Sequence, residues 1–183
     1  SNGRPYFLSS WTQEPRKNLV GVIRAYDLLR KENPNVDPAL VLVGKKGWKN
    51  AEFQELVEMS NFKDSIFITG FIKDCVLVKA YRGAIAFIYP SFYEGFGLPV
   101  LEAMACGTPV ITSKNSSLEE IGRDSVLYCD PASSDDISFS MYRILSESLL
   151  RVNLSNDGLK RASEFSWKKT AQKTAQVITS LLN

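Results

Sequence analysis

Two carboxylates eight positions apart, Glu94 and Glu102, flank the run Gly95-Phe96-Gly97-Leu98-Pro99-Val100-Leu101. Glycines without a Cβ let the chain bend sharply and bring main-chain amides close to a ligand. Pro99 suits a first helical turn, where its missing N–H costs nothing and its φ is already helical. The free amides and dipole of such a helix favour a phosphate by on the order of 1 kcal/mol at low salt. Carboxylates serve a different purpose, because they accept hydrogen bonds from hydroxyl groups. Glu102, one turn into the helix, suits a sugar diol beside the phosphate, and Glu94, in the loop, suits a second polyol. Taken singly, Glu102 also fits a solvated helix residue and Glu94 a surface charge. A strand, glycine turn and helix is a common unit; the spaced acids are what raise it. Gly107-Thr108-Pro109 ends the helix whatever the function and has no site role.

A second pair of chemical groups, Arg16 and Lys17, stands before the apolar-periodic segment Leu19, Val22, Ile23, Tyr26, Leu29. Cations are disfavoured at a helix N-terminus unless they serve an anion. On one edge with the amides of Gly95, Phe96, Gly97 and Leu98 they can clamp a diphosphate; solvated helix-start charges are the alternative.

Other chemistries are excluded by composition. The 183 residues contain no histidine, which removes Ser-His-Asp and Cys-His nucleophiles, imidazole metal sites and an imidazole base. Cys75, Cys106 and Cys129 are far apart and lack metal-ligand spacing, as expected of three unpaired thiols in a reducing compartment. Lysine and arginine total 22 against 20 acids, a net charge of +2, so nothing argues for a nucleic-acid partner. No Gly-Lys-Ser/Thr phosphate loop is present, and no Gly-x-Gly-x-x-Gly follows the first strand. No apolar run reaches membrane-spanning length. Ser1-Asn2-Gly3 resembles a tag remnant and not a signal peptide, and a strand follows almost at once, as in a domain cut from a longer protein.

These groups need a frame. Short apolar runs at residues 6–9, 39–43, 65–69, 84–89, 109–112 and 125–128 read as strands. Between them, helices are expected over 18–31, 50–59, 74–81, 99–106 and 118–121. Near-uniformly apolar strands alternating with helices predict an α/β fold, a doubly wound, parallel, six-stranded Rossmann-like sheet covered on both faces. Helices over 135–151, 156–164 and 167–182 complete a helical portion, residues 133–183, of one domain. In such a sheet ligands lie outside the carboxyl ends of the strands. The turns gathered there are 14–18, 44–48, 70–72, 91–98 and 113–117.

The stretch from Glu94 to Ala103, followed by Gly107-Thr108-Pro109-Val110, closely resembles the donor-site signature of the retaining GT-B glycosyltransferases of family four, the glycosyl transferases group one. Glu14-Pro15-Arg16-Lys17-Asn18-Leu19, Val43-Gly44, Thr69-Gly70-Phe71 and Tyr128-Cys129-Asp130-Pro131 resemble the family's other stations, in order. The match covers almost the whole chain and points to members that transfer mannose-like sugars in polysaccharide or lipopolysaccharide assembly. The resemblance implies the donor-binding C-terminal half of a two-domain enzyme. It implies that Glu94 contacts donor-sugar hydroxyls, that backbone at Gly95, Phe96, Gly97 and Leu98 holds sugar and phosphate, and that Glu102 binds the ribose diol. Arg16 and Lys17 would neutralise the diphosphate without a metal or other cofactor, and backbone at Phe71 and Ile72 would meet the base. Many relatives carry Gly-Arg after the first strand where this chain has Ser10-Trp11-Thr12; Arg16 stands in for that arginine.

The implied partners are a GDP- or UDP-sugar and a glycan or lipid-linked acceptor held by the N-terminal half. The implied location is the cytoplasm, at the inner face of the membrane, with the fragment alone inactive. A sugar-nucleotide epimerase of the same architecture, or a non-enzymatic nucleotide-sugar binding module, are the other readings the residues allow.

Overall fold

The structure, a computed structural model, describes residues 3–10, 14–44 and 51–182. Trp11, Thr12, the turn at 45–48 and the expected helix start at Asn50 lie outside the described residues.

Six strands form one parallel sheet: β1 Tyr6–Ser10, β2 Ala39–Val43, β3 Ile66–Gly70, β4 Ala86–Tyr89, β5 Val110–Ser113 and β6 Leu127–Cys129. Their order is β3-β2-β1-β4-β5-β6, every pair parallel. The helices are α1 Leu19–Glu32, α2 Ala51–Met59, α3 Asp74–Gly83, α4 Leu98–Ala105, α5 Ser116–Gly122, α6 Ser134–Ser146, α7 Ser148–Ser163 and α8 Trp167–Leu182.

Successive strand residues point to opposite faces, so each strand feeds two cores. Phe7, Leu40, Leu42, Ile88 and Ile111 pack under α1 and α6, with Phe53 of α2. Leu8, Val41, Val43, Phe87, Tyr89 and Val110 pack on the other face with Tyr81 of α3, Val100, Ala103 and Met104 of α4, and Leu118 and Ile121 of α5. The apolar character of the strands follows from this two-sided burial. The three cysteines are free. Burial pushes the Cys129 thiol up to about 12, with Asp136 and Asp130 adding to the effect.

Most boundaries shift from the sequence reading by one or two residues; the largest difference lies between α6 and α7. Instead of one helix over 135–151 and a break near 152–155, the chain turns at Glu147, whose φ of −100° and ψ of 87° are not helical, and α7 then runs unbroken through Gly158. Arg151 makes this possible by donating to the carbonyls of Ile144 at 2.5 Å and Leu145 at 2.8 Å, satisfying the end of α6. Gly158 lies close against α4, where a Cβ would stand 3.3 Å from Met104 Cγ. Along α8 the side chains of residues 167–181 are all exposed, Trp167 at 79% and Leu181 at 80% among them.

Candidate functional site

Strand order reverses between β1 and β4, and in an open parallel sheet the ligand crevice lies outside the carboxyl ends at that switch point. Both motifs singled out in the sequence leave the sheet there. A 3-10 turn, Pro15–Lys17, follows β1, and the glycine loop into α4 follows β4. The two are laced together: Phe92 N donates to Arg16 O at 2.7 Å, Ser91 Oγ to the same carbonyl at 2.8 Å, and Arg16 Nη1 to Tyr93 O at 3.0 Å.

Arg16 and Lys17 therefore sit on a turn of their own ahead of α1, in the polar turn expected before that helix. Asn18 makes the separation. It adopts a left-handed conformation with φ 55°, its Oδ1 accepts from Gly21 N at 3.2 Å, and its Nδ2 donates to Pro131 O at 2.6 Å. A Cβ on Gly21 would lie 2.5 Å from Asn18 Oδ1, so the cap demands that glycine. Asparagine just ahead of the apolar-periodic segment is the signal in the sequence for this cap.

Glu94 is not an open surface charge. It is 8% exposed, and its carboxylate is engaged on both oxygens. Oε1 accepts from Tyr89 Oη at 2.6 Å and Ser91 Oγ at 3.0 Å, while Oε2 lies 2.6 Å from Arg16 Nη1. Burial works against the charge, but the bonds from Arg16, Tyr89 and Ser91 outweigh it and hold the carboxyl below its ordinary range. Its backbone is clamped from α5, with Ser116 Oγ accepting from Glu94 N at 3.1 Å and Ser117 Oγ donating to Glu94 O at 2.8 Å. Arg16 is shared, since its Nη2 is 2.5 Å from Glu14 Oε2. Lys17 makes only a 4.0 Å approach to Glu14 and stands 5.9 Å from the Tyr89 ring centroid, its side chain 12% exposed. Sequence reasoning misses Tyr89 because residues 84–89 read as a uniform core strand; the serines stand in the turns 91–98 and 113–117 expected at this edge, with no part assigned to them.

The glycine turn divides in two. Gly97 caps α4 with φ 99°, and a Cβ there would also meet Leu118 Cδ2 at 2.9 Å. Gly95 has no positive φ, and a Cβ on it would meet nothing within 4 Å. The fold requires only the second glycine. Pro99 stands in the first turn of α4 as expected. Among the described residues, no protein acceptor is found for the backbone amides of Gly95, Phe96, Gly97 or Leu98. They lead into the N-terminal end of α4, the kind of place where free amides can receive an anion.

Glu102 lies exposed on α4, where its Oε2 accepts from Tyr81 Oη at 3.4 Å. Desolvation and then Asp74 raise its carboxyl, against the Tyr81 bond. A row of rings runs between the two acids: Tyr81 stands edge-on to Phe87 at 5.2 Å, Phe87 stacks on Tyr89 at 5.6 Å, and Tyr89 holds Glu94. Phe71 and Ile72 follow β3, the sheet edge, three strand steps or roughly 14 Å from β4; Phe71 is exposed and Ile72 is half-buried against the core on the α3–α4 face. The structure thus joins Glu94 to Arg16 directly, sets Lys17 beside them over the Tyr89 ring, starts the turn 95–98 at Glu94, links Glu102 through aromatic rings, and sets Phe71 and Ile72 at the edge. Among the described residues no three His, Cys, Asp or Glu side chains gather as a metal site.

Residues 1–161 match the family described as glycosyl transferases group 1. The chain is 41% identical over 169 residues to the O-antigen chain mannosyltransferase B of Escherichia coli, covering 92% of this chain and 44% of that protein. It is similar to the C-terminal domain of a glycosyl transferase group 1 family protein, LpcC, from Francisella tularensis, with TM-score 0.77 and 27% identity over 89% of this chain and 88% of that one. Sucrose-phosphate synthase from Thermosynechococcus elongatus superimposes with TM-score 0.84 and 27% identity over 100% of this chain and 46% of that one. The chain spans less than half the length of the mannosyltransferase it matches. By this family match, and by a doubly wound sheet that unites both motifs at its switch point, the chain belongs to the glycosyl transferases group 1 family.

Proposed function

We propose that this chain is the donor-binding half of a GT-B enzyme that transfers a sugar from a nucleoside diphosphate sugar to an acceptor hydroxyl with retention. The carrying observation is the junction of the Pro15–Lys17 turn with the glycine loop at the β1/β4 switch point, where free amides, a lysine and a preset carboxylate meet. The 41% identity to an O-antigen chain mannosyltransferase supports mannose as the sugar and a polysaccharide of that kind as the product.

In this reading the amides of Gly95 to Leu98 hold sugar and phosphate, and the open space over Gly95 is where the donor lies. Departure of the diphosphate builds negative charge on its oxygens. Lys17 and the α4 amides, fixed beforehand, stabilise that charge without reorganising, and Arg16 shares the work when the donor draws it from Glu14. Glu94 accepts a sugar hydroxyl and Glu102 the ribose diol, while backbone at Phe71 and Ile72 meets the base. No metal takes part. The acceptor, a glycan or lipid-linked glycan, is held by the other half of the enzyme, against which the apolar side of α8 packs. Among the described residues no helix is long and apolar enough to cross a membrane, and the reading places the enzyme in the cytoplasm, at the membrane's inner face.

The test is incubation of the full-length protein with labelled GDP-mannose or UDP-glucose and an O-antigen-type acceptor. Transfer of label with the anomeric configuration kept supports the reading; donor epimerised without acceptor, or no turnover of any nucleotide sugar, overturns it.

A further inference from the structure

We propose that Tyr89 is a positioning residue of the donor site: its hydroxyl fixes the Glu94 carboxylate with one acceptor position left for the sugar, and its ring seats Lys17. The inference rests on the donor-site reading above and names a residue that the sequence motifs did not supply.

Tyr89 is the last residue of β4 and 1% exposed. Its ring is stacked on Phe87, with planes 18° apart, and its backbone carbonyl is held by Thr112 Oγ1 at 2.8 Å. A ring so confined can place its hydroxyl in only a small region, and that region is Glu94 Oε1, 2.6 Å away. Core packing alone would be served by phenylalanine, which stacks equally well and buries no polar atom. The hydroxyl is explained by its acceptor.

The carboxylate's remaining capacity limits how a sugar can bind. Two carboxylate oxygens offer about four acceptor positions, and Tyr89, Ser91 and Arg16 take three of them. One remains, on the oxygen that faces Arg16, so Glu94 receives a single sugar hydroxyl in a preset orientation. The groups facing Glu94 are Arg16 from the 3-10 turn, Tyr89 from β4 and Ser91 from its own loop, with Glu14 behind Arg16 and Lys17 over the Tyr89 ring. The same phenol therefore touches the acid that orients the sugar and underlies the cation assigned to the diphosphate.

Tyr89→Phe separates these roles, because it removes the hydroxyl and keeps the ring beneath Lys17. The experiment uses the full-length protein, with calorimetry of GDP-mannose against GDP and UDP-glucose against UDP, and the pH profile of kcat/KM for the donor. Tyr89→Phe is expected to weaken the preferred nucleotide sugar about tenfold while leaving the bare diphosphate within about twofold. Losing a donor to the carboxylate raises its pKa. Activity that needs ionised Glu94 then fails earlier on acidification, and the acidic limb moves up by about one pH unit. An unmoved limb with unchanged sugar affinity overturns the inference, as does equal weakening of diphosphate and nucleotide sugar, which would mark a packing role. Glu94→Gln tells the two readings apart. If it abolishes the preference for nucleotide sugar over diphosphate while Tyr89→Phe changes nothing, the Tyr89 inference alone fails. If Glu94→Gln also changes nothing, the role of Glu94 in the donor site fails.

Discussion

Replacing each glycine of the donor loop by alanine separates the needs of the fold from those of the ligand. Alanine at 97 must hold a φ near 99°, a left-handed conformation that costs about 1–2 kcal/mol for a residue with a Cβ. Its methyl would also lie 2.9 Å from Leu118 Cδ2, and moving that leucine off its rotamer adds roughly 1 kcal/mol. The sum, about 2–3 kcal/mol, lowers the melting temperature by about 4–12 °C in a chain of this size. Alanine at 95 meets nothing within 4 Å and needs no positive φ. It leaves stability unchanged or raises it by up to about 1 kcal/mol, because the unfolded chain loses freedom. If the open space belongs to the donor, its methyl overpacks the bound complex by about 1–3 kcal/mol, roughly five- to 150-fold in Kd. Urea melts and calorimetry with the nucleotide sugar are the assays. Gly95→Ala destabilising the protein as much as Gly97→Ala, or leaving donor affinity untouched, would refute the reasoning.

Arg16→Ala removes the cation from buried Glu94, and stability at pH 7 falls by about 1–2 kcal/mol, less than for a fully buried pair because Arg16 is partly exposed. Glu94 has a lowered folded pKa, so its ionic contribution is present above the unfolded value of about 4.3 and fades as pH falls through the folded value; urea melts at pH 7 and pH 3.5 will show the penalty shrinking in acid. Arg161→Met leaves the carbonyls of Ile121 and Glu120, now bonded at 3.0 and 2.8 Å, without their donor; a loss of about 1–3 kcal/mol is expected in the same melts. Thiol labelling of the native protein will modify exposed Cys75 first and buried Cys129 only on unfolding, and early labelling of Cys129 would contradict the packing of β6 against the sheet.

The sheet was legible because its four central strands are buried on both faces and carry nearly unbroken apolar character, and the motif after β4 was legible because glycine, proline and acid stand at fixed offsets. The features that escaped are set by contacts distant in sequence. Glu94 looks like a loop charge until Arg16, 78 positions earlier, is folded against it. Tyr89 reads as one more core residue, since nothing in an apolar run marks which hydroxyl will meet a carboxylate. The break at Glu147 carries no glycine or proline and depends on Arg151 reaching back to α6, and nothing in residues 152–155 shows that α7 runs through them. Gly95 and Gly97 look equivalent as letters; only the backbone angles distinguish them.

The central claim is that Lys17 and the α4 amides stabilise a departing diphosphate, and turnover by Lys17→Ala in the full-length protein tests it most directly. Removing one preorganised charge stabiliser is expected to lower kcat for sugar transfer by about 10²–10³-fold, with the unfolding midpoint little changed because the ammonium makes only long approaches, 4.0 Å to Glu14 and 5.9 Å to the Tyr89 ring. Transfer at the wild-type rate, or a loss that merely tracks unfolding, would contradict the account.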